Sequence, residues 1–191
     1  MLDIKSLFIR VGSADSVIEG DFLLISSNRG YEVDAFLEAF AVGVEHGIEV
    51  RLFGLVDEGR VAAQITSPGR TADAGLLSDL NDHSGRLRFI KKATPCSLLG
   101  RTAELDLVCD MLNSALRSHV GRDHAAVRLE GIGFNDPRRA KVISRIMAGP
   151  MSADLRTPEV VVYLHLGKEF ILAGLARPLS VLGVENGPPL D

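Results

Sequence analysis

The stretch DFLLISSNRGYEVDAFLEAFAVGVEHGIEVRLFGLVDEGRVAAQIT, residues 21–66, changes its apolar period twice. Residues 21–26 form a short apolar run closed by Ser-Ser-Asn-Arg-Gly, the pattern of a buried strand and its turn. Over 32–46 the apolar residues Val33, Phe36, Leu37, Phe40, Ala41 and Val44 recur at spacings of three and four, with Asp34, Glu38 and Glu45 elsewhere. That period predicts a helix, and Gly47 supplies a left-handed stop. Residues 49–55 and 60–66 flank Val56-Asp57-Glu58-Gly59, a hairpin whose glycine accepts positive φ.

Working outward, Thr71 is expected to cap a helix over 72–81 with Leu76, Leu77 and Leu80 on one side. A strand is expected over 86–93, with Leu87 and Phe89 facing one way and Arg86 and Arg88 the other. The order from 21 to 93 is then β-α-β-β-α-β, and two helices on one face of an antiparallel sheet make a ferredoxin-like region over 1–95. A second unit, 96–183, opens at Thr102, a candidate N-cap, with Glu104 and Asp106 placed where the helix dipole favours negative charge. Leu105, Val108, Cys109, Leu112, Leu116 and His119 form its apolar stripe, Asp106, Asp110, Asn113 and Arg117 its polar face, and Gly121 its end. A strand at 125–130 follows, then a helix starting at Asn135-Asp136-Pro137, then a hairpin of 159–166 with 169–176 across Gly167-Lys168. Residues 3–11 contain a further apolar run, 179–182 read as a last strand or turn, and 184–191 as a flexible tail. The class expected is α+β.

The chain of 191 residues carries a net charge of −4, but unevenly. Residues 1–84 hold 6 basic and 14 acidic side chains, and residues 85–149 hold 12 and 6. Local charge, not the average, decides whether a surface attracts polyanions. Two cysteines are too few for a disulfide framework or an all-cysteine zinc site, which suits a reduced, cytoplasmic protein. Cys96, close to Lys91 and Lys92, lacks an identifiable catalytic partner. No signal-peptide pattern and no apolar run of membrane-spanning length is found.

Catalytic signatures are missing from the sequence. There is no phosphate loop, no dinucleotide fingerprint beyond the incomplete Gly131-Ile132-Gly133, no nucleophile elbow and no standard zinc or calcium pattern. His119, Asp123 and His124 do not have a standard ligand spacing and read as capping, packing or surface groups. His165 is expected to face solvent or to take one structural hydrogen bond. Neither a metal nor another cofactor is expected. The clearest feature is basic and helical: Arg138, Lys141 and Arg145 at i, i+3 and i+7, with Arg139 at the boundary and Ala140, Ile143, Ile146 and Met147 on another face. Such a face is either a solvated surface over a packed stripe or a phosphate-binding surface. A second basic segment holds Arg86, Arg88, Lys91, Lys92 and Arg101. Folded RNA suits this charge better than sequence-read DNA, because no helix-turn-helix is evident.

Three stretches resemble THUMP-domain proteins, in particular the stand-alone tRNA acetylation accessory family: residues 21–40 (DFLLISSNRGYEVDAFLEAF), 87–95 (LRFIKKATP) and 151–178 (MSADLRTPEVVVYLHLGKEFILAGLARP). The resemblance covers roughly residues 21–183 and rests on the order of loose motifs. It implies a ferredoxin-like region followed by a THUMP α/β region that bind tRNA together. It also implies a non-catalytic adaptor that presents tRNA to a separate cytidine N4-acetyltransferase. Carried over, it names Lys91, Lys92, Arg138, Arg139, Lys141 and Arg145 as RNA contacts. The acidic first half and the Gly131–Phe134 loop, less basic than the family's, depart from the pattern. Alternatives are an RNA-binding component of a tRNA methylation or thiolation system, and a protein-interaction module without RNA contact. A homodimer through a sheet edge is a further expectation.

Overall fold

Four consecutive buried side chains, Phe22, Leu23, Leu24 and Ile25, make the centre of β1 (Ile18–Ser26). A strand buried on both faces reads as a continuous apolar run, not as an alternation. The computed structural model describes residues 17–66, 75–119, 125–148, 160–176 and 182–183, with 153, 156 and 158. The expected strand at 3–11, the Thr71 cap, the His119 side chain, Gly121, Asp123, His124 and the 184–191 tail lie outside them.

The chain divides into two compact units, one centred on Asp21–Pro95 and one on Cys96–Leu179 with Asp15–Gly20. In the first, α1 (Glu32–Glu45), β2 (Glu49–Asp57), β3 (Arg60–Thr66) and α2 (Leu76–Asp82) follow β1, and β4 (Lys92–Arg101) begins at its end. The α+β class is the one expected, and the first five elements follow the expected β-α-β-β-α order. β3 lies antiparallel between β1 and β2, with Leu24 opposite Ala62 and Leu52 opposite Ala63. The β2–β3 turn takes Gly59 to a φ of 76°. A single carboxylate ties this turn to the one after β1: Glu32 Oε1 accepts the N–H groups of Gly30 (3.1 Å) and Gly59 (2.7 Å). These backbone donors, Gly30 first, hold the Glu32 carboxyl below its ordinary value.

Two expectations in this unit are corrected. The face of α1 on the core is Ala35, Phe36, Ala39, Val42 and Gly43, whereas Val33, Leu37, Phe40 and Val44 are exposed. Small residues win because the helix sits close on β2: a Cβ at Gly43 would lie 2.5 Å from Val50 Cγ2 and 2.9 Å from the Ile48 carbonyl. The strand expected over 86–93 is also not formed. Ser84–Arg86 is a 3-10 turn, and the N–H groups of Arg88 (2.7 Å), Phe89 (2.9 Å) and Ile90 (3.0 Å) all donate to the Glu38 carboxylate of α1. A side chain takes the bonds that a neighbouring strand would otherwise take. The alternation survives without the ladder, since Leu87 and Phe89 pack on the core and Arg86 and Arg88 stay exposed. Lys91 N–H then reaches the Ser26 carbonyl at 2.8 Å, and β4 starts one residue later.

In the second unit, a 3-10 turn (Thr102–Glu104) leads into α3 (Leu105–His119), followed by β5 (Ala125–Glu130), α4 (Pro137–Ile146), β6 (Val160–Leu166) and β7 (Phe170–Ala176). β5 and β6 run parallel across the α4 crossover, β6 and β7 form the expected hairpin, and β7 pairs antiparallel with β4 through Leu98–Arg101. Back in the first unit, β8 (Leu182–Gly183) pairs with Lys92 and Ala93. Val108, Cys109, Leu112 and Leu116 of α3 are buried as predicted. Thr102 does not cap the helix: its hydroxyl donates to the Lys168 carbonyl at 3.2 Å, while Glu104 accepts the Arg101 N–H at 3.3 Å. On α4 the buried row is Val142 and Ile146, with Ile143 and Met147 half-buried and Ala140 exposed. His165, expected to face solvent or to take one structural hydrogen bond, is buried in β6. Both cysteines are buried, and burial pushes the Cys109 thiol up to about 11. Among the described residues no helix is long and apolar enough to cross a membrane.

Two substitutions test these corrections by thermal or denaturant unfolding. Glu38→Ala leaves three backbone donors to water or to nothing and is expected to cost about 2–3 kcal/mol, with Glu38→Gln recovering part of it. Gly43→Ala, favourable in an isolated helix, is expected to destabilise by about 1–3 kcal/mol because the helix must lift off Val50.

Candidate nucleic-acid interface

Asp136 starts α4. Its carboxylate accepts the Arg138 N–H at 2.9 Å, and Pro137 follows at the first helical position, where no amide is needed. The preceding turn is shaped by Gly131 at a φ of 75°, where a Cβ would collide with the Leu166 carbonyl. Gly131-Ile132-Gly133 is thus a turn packed against the β6–β7 hairpin. Ile132 is buried and Phe134, two residues on, is 87% exposed.

The basic face of α4 does not stand free. Lys141 Nζ lies 3.3 Å from Asp106, and Arg145 contacts Asp106 at 2.9 Å and Asp110 at 2.6 Å. The Arg145 guanidinium meets Asp110 with two hydrogen bonds of 2.6 Å, the fork geometry that carboxylates accept best. Asn113 continues the same row, donating to the carbonyls of Ile146 (2.6 Å) and Ala148 (2.9 Å), and Arg117 donates to Ala148 at 2.6 Å. The polar face of α3 and the basic face of α4 therefore form one seam, in which α3 also caps the last carbonyls of α4. The Arg145 hydrogen bonds hold the Asp110 carboxyl below its ordinary value and raise the guanidinium. Arg138 is turned back onto its own cap, 2.7 Å from Asp136 Oδ2, which brings the Asp136 carboxyl down to about 2.

Arg139 differs. Its Nη1 donates to the Ile132 carbonyl at 3.4 Å, its guanidinium lies 5.9 Å from the centre of the Phe134 ring, and it has no carboxylate partner among the described residues. Sequence reasoning misses Phe134; an aromatic in a glycine-bearing turn just before a capped helix is the signal that could have found it. In the first unit, Arg86, Arg88 and Lys91 are exposed with no carboxylate partner among the described residues, whereas Lys92 is half-buried and engaged. Of the six residues named from the sequence, Arg138, Lys141 and Arg145 have internal acidic partners, and Lys91 and Arg139 do not.

The acid limb of unfolding reads the α4 cap. A carboxyl held near 2 in the fold, against an ordinary value of 3.8, stabilises fully above the ordinary value and loses that effect as pH falls toward 2. Asp136→Asn is therefore expected to melt below the wild type at pH 7, with the gap narrowing by pH 2.5. A gap that does not change with pH would place the effect elsewhere.

No protein-family model and no curated protein sequence matches the chain. Three solved structures are similar in arrangement. PH1313 from Pyrococcus horikoshii Ot3 shares 12% identity at a TM-score of 0.49, over 82% of this chain and 55% of that one. A 4-thiouridine synthetase solved with RNA and bound ATP shares 16% at 0.45, over 83% and 42%. TrmN from Thermus thermophilus shares 20% at 0.44, over 83% and 47%. The chain spans about half the length of each.

Proposed function

We propose that the chain is a tRNA-binding adaptor of the THUMP type, without chemistry of its own, that presents tRNA to a separate modification enzyme such as a cytidine N4-acetyltransferase. The observation that carries the reading is the Arg139–Phe134 pair: a guanidinium with no carboxylate partner among the described residues, held beside a ring that is almost wholly exposed. Guanidinium groups bind phosphate through forked hydrogen bonds, and an exposed ring gives an unpaired base a face to stack on. Lys91, with Arg86 and Arg88, adds cations that no internal carboxylate neutralises among the described residues. The likeness of three stretches to the THUMP family supports the choice of tRNA over other RNA.

Within the proposal, Lys91 and Arg139 are the leading phosphate contacts, with Arg138 secondary because it must share itself with Asp136. Lys141 and Arg145 contribute by holding the helix in place, since contact with phosphate would require them to leave Asp106 and Asp110. The non-catalytic role is supported by the lack of a catalytic motif in the sequence and by the burial of both thiols.

Binding of a folded tRNA transcript, measured against salt, tests this. Removing one phosphate-binding cation is expected to flatten the log–log slope by roughly 0.7–0.9. Lys91→Glu and Arg139→Glu are each expected to weaken binding at least fivefold, Phe134→Ala to weaken it for transcripts with a single-stranded end, and Lys141→Gln to change it little. Salt-independent binding, or full affinity in the Lys91→Glu/Arg139→Glu double variant, would sink the reading. Saturable uptake of S-adenosylmethionine by the purified chain would replace the adaptor with an enzyme.

A further inference from the structure

Two helices of the first unit end in histidine. His46 is the C-cap of α1 and His83 the C-cap of α2, and neither helix has a basic residue in its last turn. The negative ends of two helix dipoles are thus left to be answered by something other than Lys or Arg. The two imidazoles meet edge to face, with ring centres 5.6 Å apart. Beside them stands Glu45, and the donor atoms of Glu45, His46 and His83 all lie within 4.8 Å of one another.

Both rings face one residue, Asp79 of α2. His83 Nδ1 lies 2.8 Å from the Asp79 backbone carbonyl, a hydrogen bond that fixes the proton on Nδ1 and leaves the Nε2 lone pair outward. That Nε2 faces Glu45 Oε2 at 3.6 Å. His46 turns Nδ1 toward Asp79 Oδ1, also at 3.6 Å, which leaves its own Nε2 as the second donor. At 3.6 Å neither contact is a hydrogen bond. The His83–Glu45 separation is close to the spacing of about 3.3 Å that two donors take when they share one tetrahedral ion at 2.0–2.1 Å. The carbonyl behind His83 is also the arrangement that orients a histidine on a metal and raises its basicity.

We propose that Glu45, His46 and His83 bind one divalent transition-metal ion, with the Asp79 backbone carbonyl positioning His83. Two imidazoles and one carboxylate make a donor set of borderline softness, suited to Zn²⁺ and poorly suited to Mg²⁺ or Ca²⁺. Three protein donors leave a fourth position for water or for an oxygen or nitrogen of another molecule. The site joins the ends of α1 and α2, so the ion would tie two helices that sequence separates by more than thirty residues. The inference is independent of RNA binding.

The full chain, dialysed against chelator and then titrated with Zn²⁺ in a calorimeter, is expected to take up one equivalent. Zn²⁺ is expected to raise the melting temperature and Mg²⁺ not to. Co²⁺ in place of Zn²⁺ is expected to give the visible absorption of a tetrahedral centre. His46→Ala and His83→Ala are each expected to weaken uptake at least tenfold. His83→Gln serves where the alanine variant fails to fold, as judged by circular dichroism. No stoichiometric uptake by folded wild-type protein would overturn the site. Undiminished uptake by a folded His46→Ala/His83→Ala variant would overturn it too, because the ion would then lie elsewhere.

Discussion

Asp106 and Asp110 stand one helical turn apart on α3 and face Lys141 and Arg145, which stand one turn apart on α4. The matching of these two rows governs what the second unit can offer a partner. Each pair alone, exposed to water, contributes little. Their weight comes from acting as a set with Asn113 and Arg117, which close the carbonyl end of α4 while the Asp106 and Asp110 carboxylates hold its middle. The apolar row Val142–Ile146 sets how deep the helix sits, and the polar seam sets its rotation. A consequence is electrostatic: the cations that make α4 conspicuous in the sequence are compensated where they lie. The positive field of the helix is concentrated at its beginning, at Arg139.

The same seam separates what is legible in the sequence from what is not. Element order and turns depend on neighbours in sequence: Gly59 and Gly131 adopt the positive φ their turns demand, and Asp136-Pro137 opens a helix as its chemistry dictates. The polar face of α3 is equally visible as a row at 106, 110, 113 and 117. That its partner is the basic row of α4 is a fact about two helices about thirty-five residues apart, and no periodicity encodes it. Two of the six expected RNA contacts, Lys141 and Arg145, lie in this seam with carboxylates as neighbours.

The two corrected elements of the first unit share a cause. Apolar periodicity weighs large side chains, so it favours the face of α1 carrying Val33, Phe36, Leu37, Phe40 and Val44. Of these only Phe36 is buried; the helix packs through it with Ala35, Ala39, Val42 and Gly43, where close approach to β2 excludes a side chain. That choice of face also aims Glu38 at the segment 88–90, where its carboxylate takes the backbone bonds that a strand would have used. Rotating a helix by one face thus converts an expected strand into an irregular segment. The convergence of His46, His83 and Asp79 depends equally on how α1 and α2 meet, so no spacing rule along the chain reveals it.

The number of uncommitted cations also bears on how an adaptor of this kind would work. On α4, Arg138, Lys141 and Arg145 each have a carboxylate partner, and half-buried Arg139 has none among the described residues. With one such cation, the helix would add less to the salt dependence of RNA binding than four unpaired ones would. Weak and modestly salt-sensitive binding is a defect in a protein that must hold RNA alone. It is an advantage in one that hands RNA on, because a linked partner supplies effective concentration in place of contacts, and release stays fast. The seam that pairs Lys141 and Arg145 with carboxylates is therefore consistent with the proposed role: it holds the helix in place and would keep the grip on RNA light.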